Sequence, residues 1–215
     1  MKRYIKLYAL EIYTAISVIC IAVALFVGEL SVNQKILLAY AAVFVLHEWE
    51  EGRFPGDLAD LIGKKLLHRE LTEETKKGTR IPAGILLLAM LIVPFCFDEY
   101  AFLVLIPVCL GIFEGFAHIM FIIMLGIKKP YSPGMVTAEI ELVMSIIVCI
   151  FFGISGFTSI GDYVLGFVLM FVCYFILQRS IFALLGIPYR ELPKIAKRRI
   201  GEIKAERGQK RGDLV

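Results

Sequence analysis

The chain has little that would suit it to water. Only 20% of its 215 residues are charged, against 59% hydrophobic, and a mean hydropathy of +0.78 leaves too little polar surface to cover a soluble globule. No stretch between its apolar runs is long enough for a separate soluble domain, and neither an internal repeat nor a low-complexity tract is evident. Five cysteines (Cys20, Cys96, Cys109, Cys149, Cys173) form no CxxC pair and no even-numbered framework, so a disulfide scaffold is excluded and buried thiols are expected. The zincin pattern His-Glu-x-x-His is absent. With three histidines in all, imidazole chemistry must come from His47, His68 or His118. The net charge of +3 does not point to nucleic acid, because the basic residues sit in loops and tail, where membrane topology accounts for them.

What is present is a series of six apolar runs, about Leu7 to Val27, Gln34 to Leu46, Pro82 to Phe97, Phe102 to Ile127, Met135 to Phe152 and Tyr163 to Leu185. A helix needs about 17–25 such residues to cross a bilayer, so the expectation is an all-α, polytopic membrane bundle of six transmembrane helices. Lys2, Arg3 and Lys6 ahead of the first run resemble a secretory signal, but Glu11 interrupts it and the run is long enough to span. Pro94 and Pro107 inside apolar runs are tolerated where neighbouring helices satisfy the freed carbonyls. Between spans two and three, Leu58, Leu61, Ile62 and Leu66 alternate at helical spacing with Lys64, Lys65, His68 and Arg69, which predicts an amphipathic helix on the membrane surface. Residues 1–187 read as one transmembrane domain and 188–215 as a basic tail. Lysine and arginine gather in the leading segment, the 52–81 loop, the 128–134 turn with Lys128 and Lys129, and the tail, so both termini are expected in the cytoplasm. The setting is read as a prokaryotic plasma membrane.

One stretch does not belong in hydrocarbon: His47-Glu48-Trp49-Glu50-Glu51, at the end of the second run. An ionised side chain at membrane depth costs up to roughly 3 kcal/mol on insertion scales, so its default reading is functional. On a helix His47, Glu50 and Glu51 share a face while Glu48 points elsewhere. Entering near residue 33 and descending about 1.5 Å per residue, the second span carries His47 roughly 21 Å down and Glu51 roughly 27 Å. Span four, entering near residue 101, carries Glu114 roughly 20 Å down and His118 roughly 26 Å. Glu11, Thr137, Glu139, Glu141, Gln178 and Arg179 fall in the same layer; Glu139 and Glu141 cannot share a helical face, so at most one points inward. His68, among lysine and arginine, reads as solvated, and Trp49 as an interfacial anchor.

Histidine and carboxylate on facing helices are the ligand types that hold zinc, or a pair of iron or manganese ions. Two further readings share these residues: a metal-free general acid and base, and a satisfied polar network that only locks the helices together. The run from His47 to Glu51, the later Glu114-x-x-x-His118, and Tyr131-Ser132-Pro133-Gly134 followed by Thr137 together resemble the HXXEE-domain family of small integral membrane proteins, over about residues 35–150. The resemblance implies no settled reaction; the family's His and Glu pattern suggests a metal-dependent or acid-base membrane enzyme. The family more often has asparagine where Glu114 stands, so Glu114 departs from its pattern.

The expectation is therefore an uncharacterised membrane-embedded enzyme, hydrolase-like or lipid-modifying, acting on a lipid or other apolar substrate at the cytoplasmic leaflet. His47, Glu50, Glu51, Glu114 and His118 serve as metal ligands or acid-base groups, with zinc, or iron or manganese, as the cofactor in the metal reading and none in the acid-base reading. Membrane lipid is the expected environment and substrate; oligomeric state is left open. A proton- or ion-coupled transporter using the same cluster is the alternative, and a membrane scaffold is a third.

Overall fold

The computed structural model describes residues 2–26, 28–56, 58–127 and 129–212. Val27, the expected end of the first span, Lys128 of the basic turn, and both ends of the chain (Met1 and residues 213–215) lie outside these. All regular structure among the described residues is helical: α1 (Lys2–Leu7), α2 (Ala9–Phe26), α3 (Val32–Gly52), α4 (Leu58–Leu66), α5 (Glu73–Gly78), α6 (Arg80–Cys96), α7 (Ala101–Leu125), α8 (Met135–Ser155), α9 (Ile160–Leu184) and α10 (Leu192–Gly212), with a 3-10 turn at Tyr189–Glu191. Five helical stretches are long and apolar enough to cross a membrane: Ala9–Phe26, Glu73–Cys96, Ala101–Leu125, Met135–Ser155 and Ile160–Leu184. Pro94 and Pro107 sit inside α6 and α7, which continue through them.

The remaining expected span, α3, is not among the five. Asn33, Gln34 and Lys35 at one end and His47 to Glu51 at the other confine its apolar stretch to residues 36–46, about 16 Å of helix. On its inner face Leu37, Tyr40 and Phe44 are almost wholly buried while Leu46 is exposed, and α3 packs against α2, α6, α7 and α8. Its start is fixed twice over. Ser31 caps it in a capping box with Gln34, and Ser31 and Asn33 hydrogen-bond Asp98 in the turn between α6 and α7.

In the polar stretch from 52 to 80 the helix expected over Leu58–Leu66 is present as α4, and α5 follows it. Leu58, Ala59 and Leu66 of α4 are buried, and α4 packs on α3, α7 and α10, so these residues face protein.

On α7, Gly111 and Gly115 stand one turn apart where α8 crosses. A Cβ on Gly111 would lie 2.5 Å from the Ser145 hydroxyl, and one on Gly115 2.8 Å from Leu142 Cβ. These small residues let the two backbones approach, as helices do in membranes, and bring Thr137 and Glu141 of α8 to the level of His118.

Candidate metal centre

The last turns of α3 and the middle of α7 meet. His47 and Glu51 are one turn apart on α3, and His118 of α7 faces them, its ring 5.2 Å from that of His47 and nearly perpendicular. Nε2 of His47 is 3.6 Å from Glu51 Oε1, and Nε2 of His118 is 3.3 Å from the same oxygen. One donor atom from each of the three side chains lies within 4.8 Å of the other two.

The far side of each ring is anchored. His47 Nδ1 is 3.0 Å from the Thr137 hydroxyl, and His118 Nδ1 is 3.1 Å from the Ser132 hydroxyl. A hydrogen bond at Nδ1 fixes the orientation of an imidazole and leaves Nε2 as the free electron pair, the arrangement found around metal-ligating histidines. Nε2 of His118 is buried without a well-formed hydrogen bond, its nearest polar neighbour being Glu51 Oε1 at 3.3 Å, so both atoms face the centre. Two imidazoles and a carboxylate are also the donor set of many zinc sites that keep a position open. By converging donor atoms, anchoring and ligand chemistry, these residues fit a divalent cation.

Glu50, expected as a ligand, has both oxygens committed elsewhere. Oε1 accepts from the Tyr131 hydroxyl at 2.9 Å and the Val136 amide at 3.0 Å; Oε2 accepts from the Thr137 amide at 2.8 Å and the Thr137 hydroxyl at 2.6 Å. The N-terminus of α8 follows Gly134, which has no side chain to cap it. Glu50 fills that role from a different helix, meeting the orphan amides and the positive end of the helix. Burial and the Glu50 carboxylate push the Tyr131 phenol above its ordinary range, which keeps it a donor.

Glu48, expected to point elsewhere, is buried and pairs with Arg80 at 3.1 Å. Nη1 of Arg80 also bonds Glu51 Oε2 at 2.6 Å, so Glu51 gives one oxygen to the arginine and turns the other to the histidines. Sequence reasoning passed over Arg80, although a lone cation at the head of an apolar run was the available signal. It also gave Gly134 no role. At φ +90°, a Cβ there would fall 2.6 Å from Glu51 Cγ and 2.7 Å from His118 Cε1, so the turn presses bare backbone against the centre.

Glu114 sits beside the triad rather than in it, Oε2 lying 3.8 Å from His118 Nε2. Glu141 is fully buried, 4.0 Å from His47 Nδ1, with neither oxygen hydrogen-bonded, while Glu139 is half-buried. Of the other residues placed in this layer, Gln178 lines the adjoining cavity, Arg179 is exposed, and Glu11 pairs with Arg53. His68 is exposed and 3.1 Å from Glu202. Trp49 donates to Thr14 at 2.8 Å and stacks on Phe54. The cysteines are all free, but Cys20 and Cys96 are exposed rather than buried, because they lie on the outer faces of α2 and α6.

A cavity of about 280 Å³ opens beside the centre. His47, Glu48, Glu51, Arg80 and Glu114 form its polar end; its body is apolar, with walls from α3, α4, α6, α7, α9 and α10 that include Phe44, Leu110, Phe121, Leu177, Ile181 and Phe182.

A family model described as a protein of unknown function with an HXXEE motif matches residues 38–152, more than half of the chain. No curated protein and no solved structure matches.

Proposed function

For this chain, which belongs to the HXXEE family, we propose a membrane-embedded, metal-dependent enzyme that acts on an amphiphile with a hydrocarbon chain. The observation that carries the reading is the shared focus of His47 Nε2, His118 Nε2 and Glu51 Oε1 at the polar end of an otherwise apolar cavity. A few convergent polar groups in an apolar pocket are what a small-molecule site needs. A divalent cation held there would polarise a substrate oxygen and acidify a water. The protein's part is positional. Thr137 and Ser132 hold the two imidazoles, Arg80 orients Glu51, and Glu114, beside the triad, is placed to take a proton as general base. The hydrocarbon walls hold the chain and keep water from the reacting end.

Charge supports a cation over a merely locked network. Five carboxylates (Glu48, Glu50, Glu51, Glu114, Glu141) crowd the centre, and Arg80 is the guanidinium that offsets two of them. Glu50 is met by the amides of α8, while Glu141 is buried with neither oxygen hydrogen-bonded, a polar group that a cation at the centre would help to satisfy.

We further propose that α3 forms a sixth, polar-ended crossing packed against α2, α6, α7 and α8, and that the termini share the cytoplasmic side. The test of the central claim is elemental analysis of detergent-purified protein. About one equivalent of zinc, iron or manganese per chain is expected, and it should disappear in His118→Ala. A metal-free, monodisperse protein that takes up none of these ions on titration would overturn it.

A further inference from the structure

One arginine of the apolar spans takes no part in the centre. The least enclosed of the five long apolar stretches is α9, in which Gly166 and Met170 are the buried residues, so most of its surface is left for lipid. Arg179 stands exposed on it, about 28 Å along the helix from Ile160 and thus near the far edge of a hydrocarbon core of about 30 Å. This is the end of the bundle that holds the cluster, since the neighbouring Gln178 lines the cavity beside it. The chain then doubles back. Gly186, at φ +69°, reverses it after α9, and the 3-10 turn Tyr189–Glu191 returns along the helix just completed. The Tyr189 ring lies 5.1 Å from that of Phe175 and 6.3 Å from that of Phe182. Phe175, Arg179 and Phe182 share one face of α9 at i, i+4 and i+7, so Tyr189 packs at the level of Arg179, and the exposed Arg190 follows it. Neither guanidinium has an ion pair or hydrogen bond among the described residues. The adjacent Glu191 is taken by Lys194, at 3.2 Å.

We infer that Arg179 and Arg190 form a headgroup site for an anionic phospholipid of the leaflet at this end of the bundle, on the outer surface of α9 and apart from the cavity. A guanidinium on a lipid-facing helix is costly unless it is paired or reaches the headgroups, and, unlike a carboxylate or an amine, it is not neutralised to relieve that cost. The protein supplies Arg179 with no carboxylate, so its counter-charge comes from the layer its long side chain can reach, where phosphate is the abundant anion. The planar fork of each guanidinium matches phosphate oxygens two at a time. Two such forks at one level favour a head with net negative charge over a zwitterionic one, whose own ammonium offsets its phosphate. The apolar complement lies alongside. Phe171, Val172, Phe175 and Ile176, on the turns that lead from Arg179 toward the middle of the bilayer, are exposed and offer the acyl chains a wall. The site does not rest on the metal reading and stands whatever the triad holds.

The experiment is native mass spectrometry of the full chain, released from detergent after incubation with dimyristoyl phosphatidylglycerol, dimyristoyl phosphatidylcholine or inorganic phosphate at equal concentration. One basic group near an anionic surface is worth a factor of about five, so the one-lipid complex is expected to be at least about fivefold more abundant with phosphatidylglycerol than with phosphatidylcholine. Arg179→Gln should bring that ratio to within about twofold, and Arg190→Gln should lower it by at least about twofold. Arg179→Lys, which keeps the charge and loses the fork, should fall between Arg179→Gln and the unmodified chain. Lys197→Gln, which removes an exposed cation further along α10, should leave the ratio unchanged. Equal binding of the two lipids would overturn the inference, as would an unchanged ratio in monodisperse Arg179→Gln or Arg190→Gln. A loss in Lys197→Gln as large as in Arg179→Gln would also sink it, by reducing the effect to general attraction between a basic surface and anionic lipid. So would a phosphate complex as abundant as that with phosphatidylglycerol, which would make the pair a site for a soluble anion.

Discussion

Of two cavities among the described residues, the larger is not the one beside the His and Glu cluster. One, of about 500 Å³, lies between α2, α3 and α6, with walls such as Ile21, Ala24, Leu37, Leu88 and Phe95. The other, of about 280 Å³, touches His47, Glu48, Glu51, Arg80 and Glu114. Volume in a membrane bundle measures how well apolar helices fit, and lipid chains can fill what the protein leaves. Convergence of polar groups is different, since each such group costs free energy in hydrocarbon and persists only where neighbours or ligands compensate it. The same contrast recurs between adjacent residues of α3: Glu50 has every oxygen satisfied by α8, whereas Glu51 keeps one oxygen turned toward two imidazoles.

The largest expected effect breaks the small cavity's centre outright. His118→Ala or His47→Ala removes one of three ligands, and bound metal measured by mass spectrometry should fall from about one equivalent to near zero, while His68→Ala, on an exposed histidine paired with Glu202, should keep it. Full occupancy in a monodisperse His118→Ala sample would assign the cluster to helix packing alone. Next comes the neighbouring pair. Glu51→Gln should lose metal as the histidine variants do, whereas Glu50→Gln should retain it and lose stability. Losing charge-assisted bonds at the head of α8 costs about 1.5–3 kcal/mol, roughly 3–12 °C in Tm for a chain of this size. The reverse assignment, metal lost with Glu50→Gln at unchanged Tm, would make Glu50 the ligand. Weaker still, Ser132→Ala frees His118 Nδ1 and should reduce metal affinity about 10–100-fold by competition with a chelator, the usual cost of removing a partner of a ligating histidine.

How much of this was legible follows from how local each feature is. His47, Glu51 and His118 could be brought to one level by counting residues along two helices, because helical rise is fixed and both helices start beyond short turns. That Glu50 caps α8 was not legible. It depends on the 131–137 segment folding back beneath α3, a contact 81–87 residues away in sequence. Tyr131, Ser132 and Gly134 were visible as a motif but their roles were not, since a hydroxyl on Nδ1 and a Cα pressed on an imidazole are matters of tertiary approach. Arg80 was read as one of many loop charges because the turn into α6 looked like part of a polar stretch. For the same reason α4 looked like a surface helix: its amphipathic spacing says that one face is apolar, not whether lipid or protein covers it.

The smallest effect expected sharpens the comparison most, because it tests the cavity that the argument sets aside. Ala24 is buried and lines the large apolar cavity, away from every residue of the triad. Ala24→Leu adds three carbons to a space able to receive them, so it should pack without the strain that overfilling a tight core brings. Filling it gains at most about 1–2 kcal/mol from contacts that the space now lacks, and Tm should hold or rise by a few degrees. Metal content and metal affinity should stay within about twofold of the unmodified chain, since neither Glu51 nor either histidine touches the change. A tenfold loss of metal affinity in stable Ala24→Leu protein would show that the two cavities are energetically coupled through α3 and α6, the helices that line both, and the division between a packing void and a working site would then have to be abandoned.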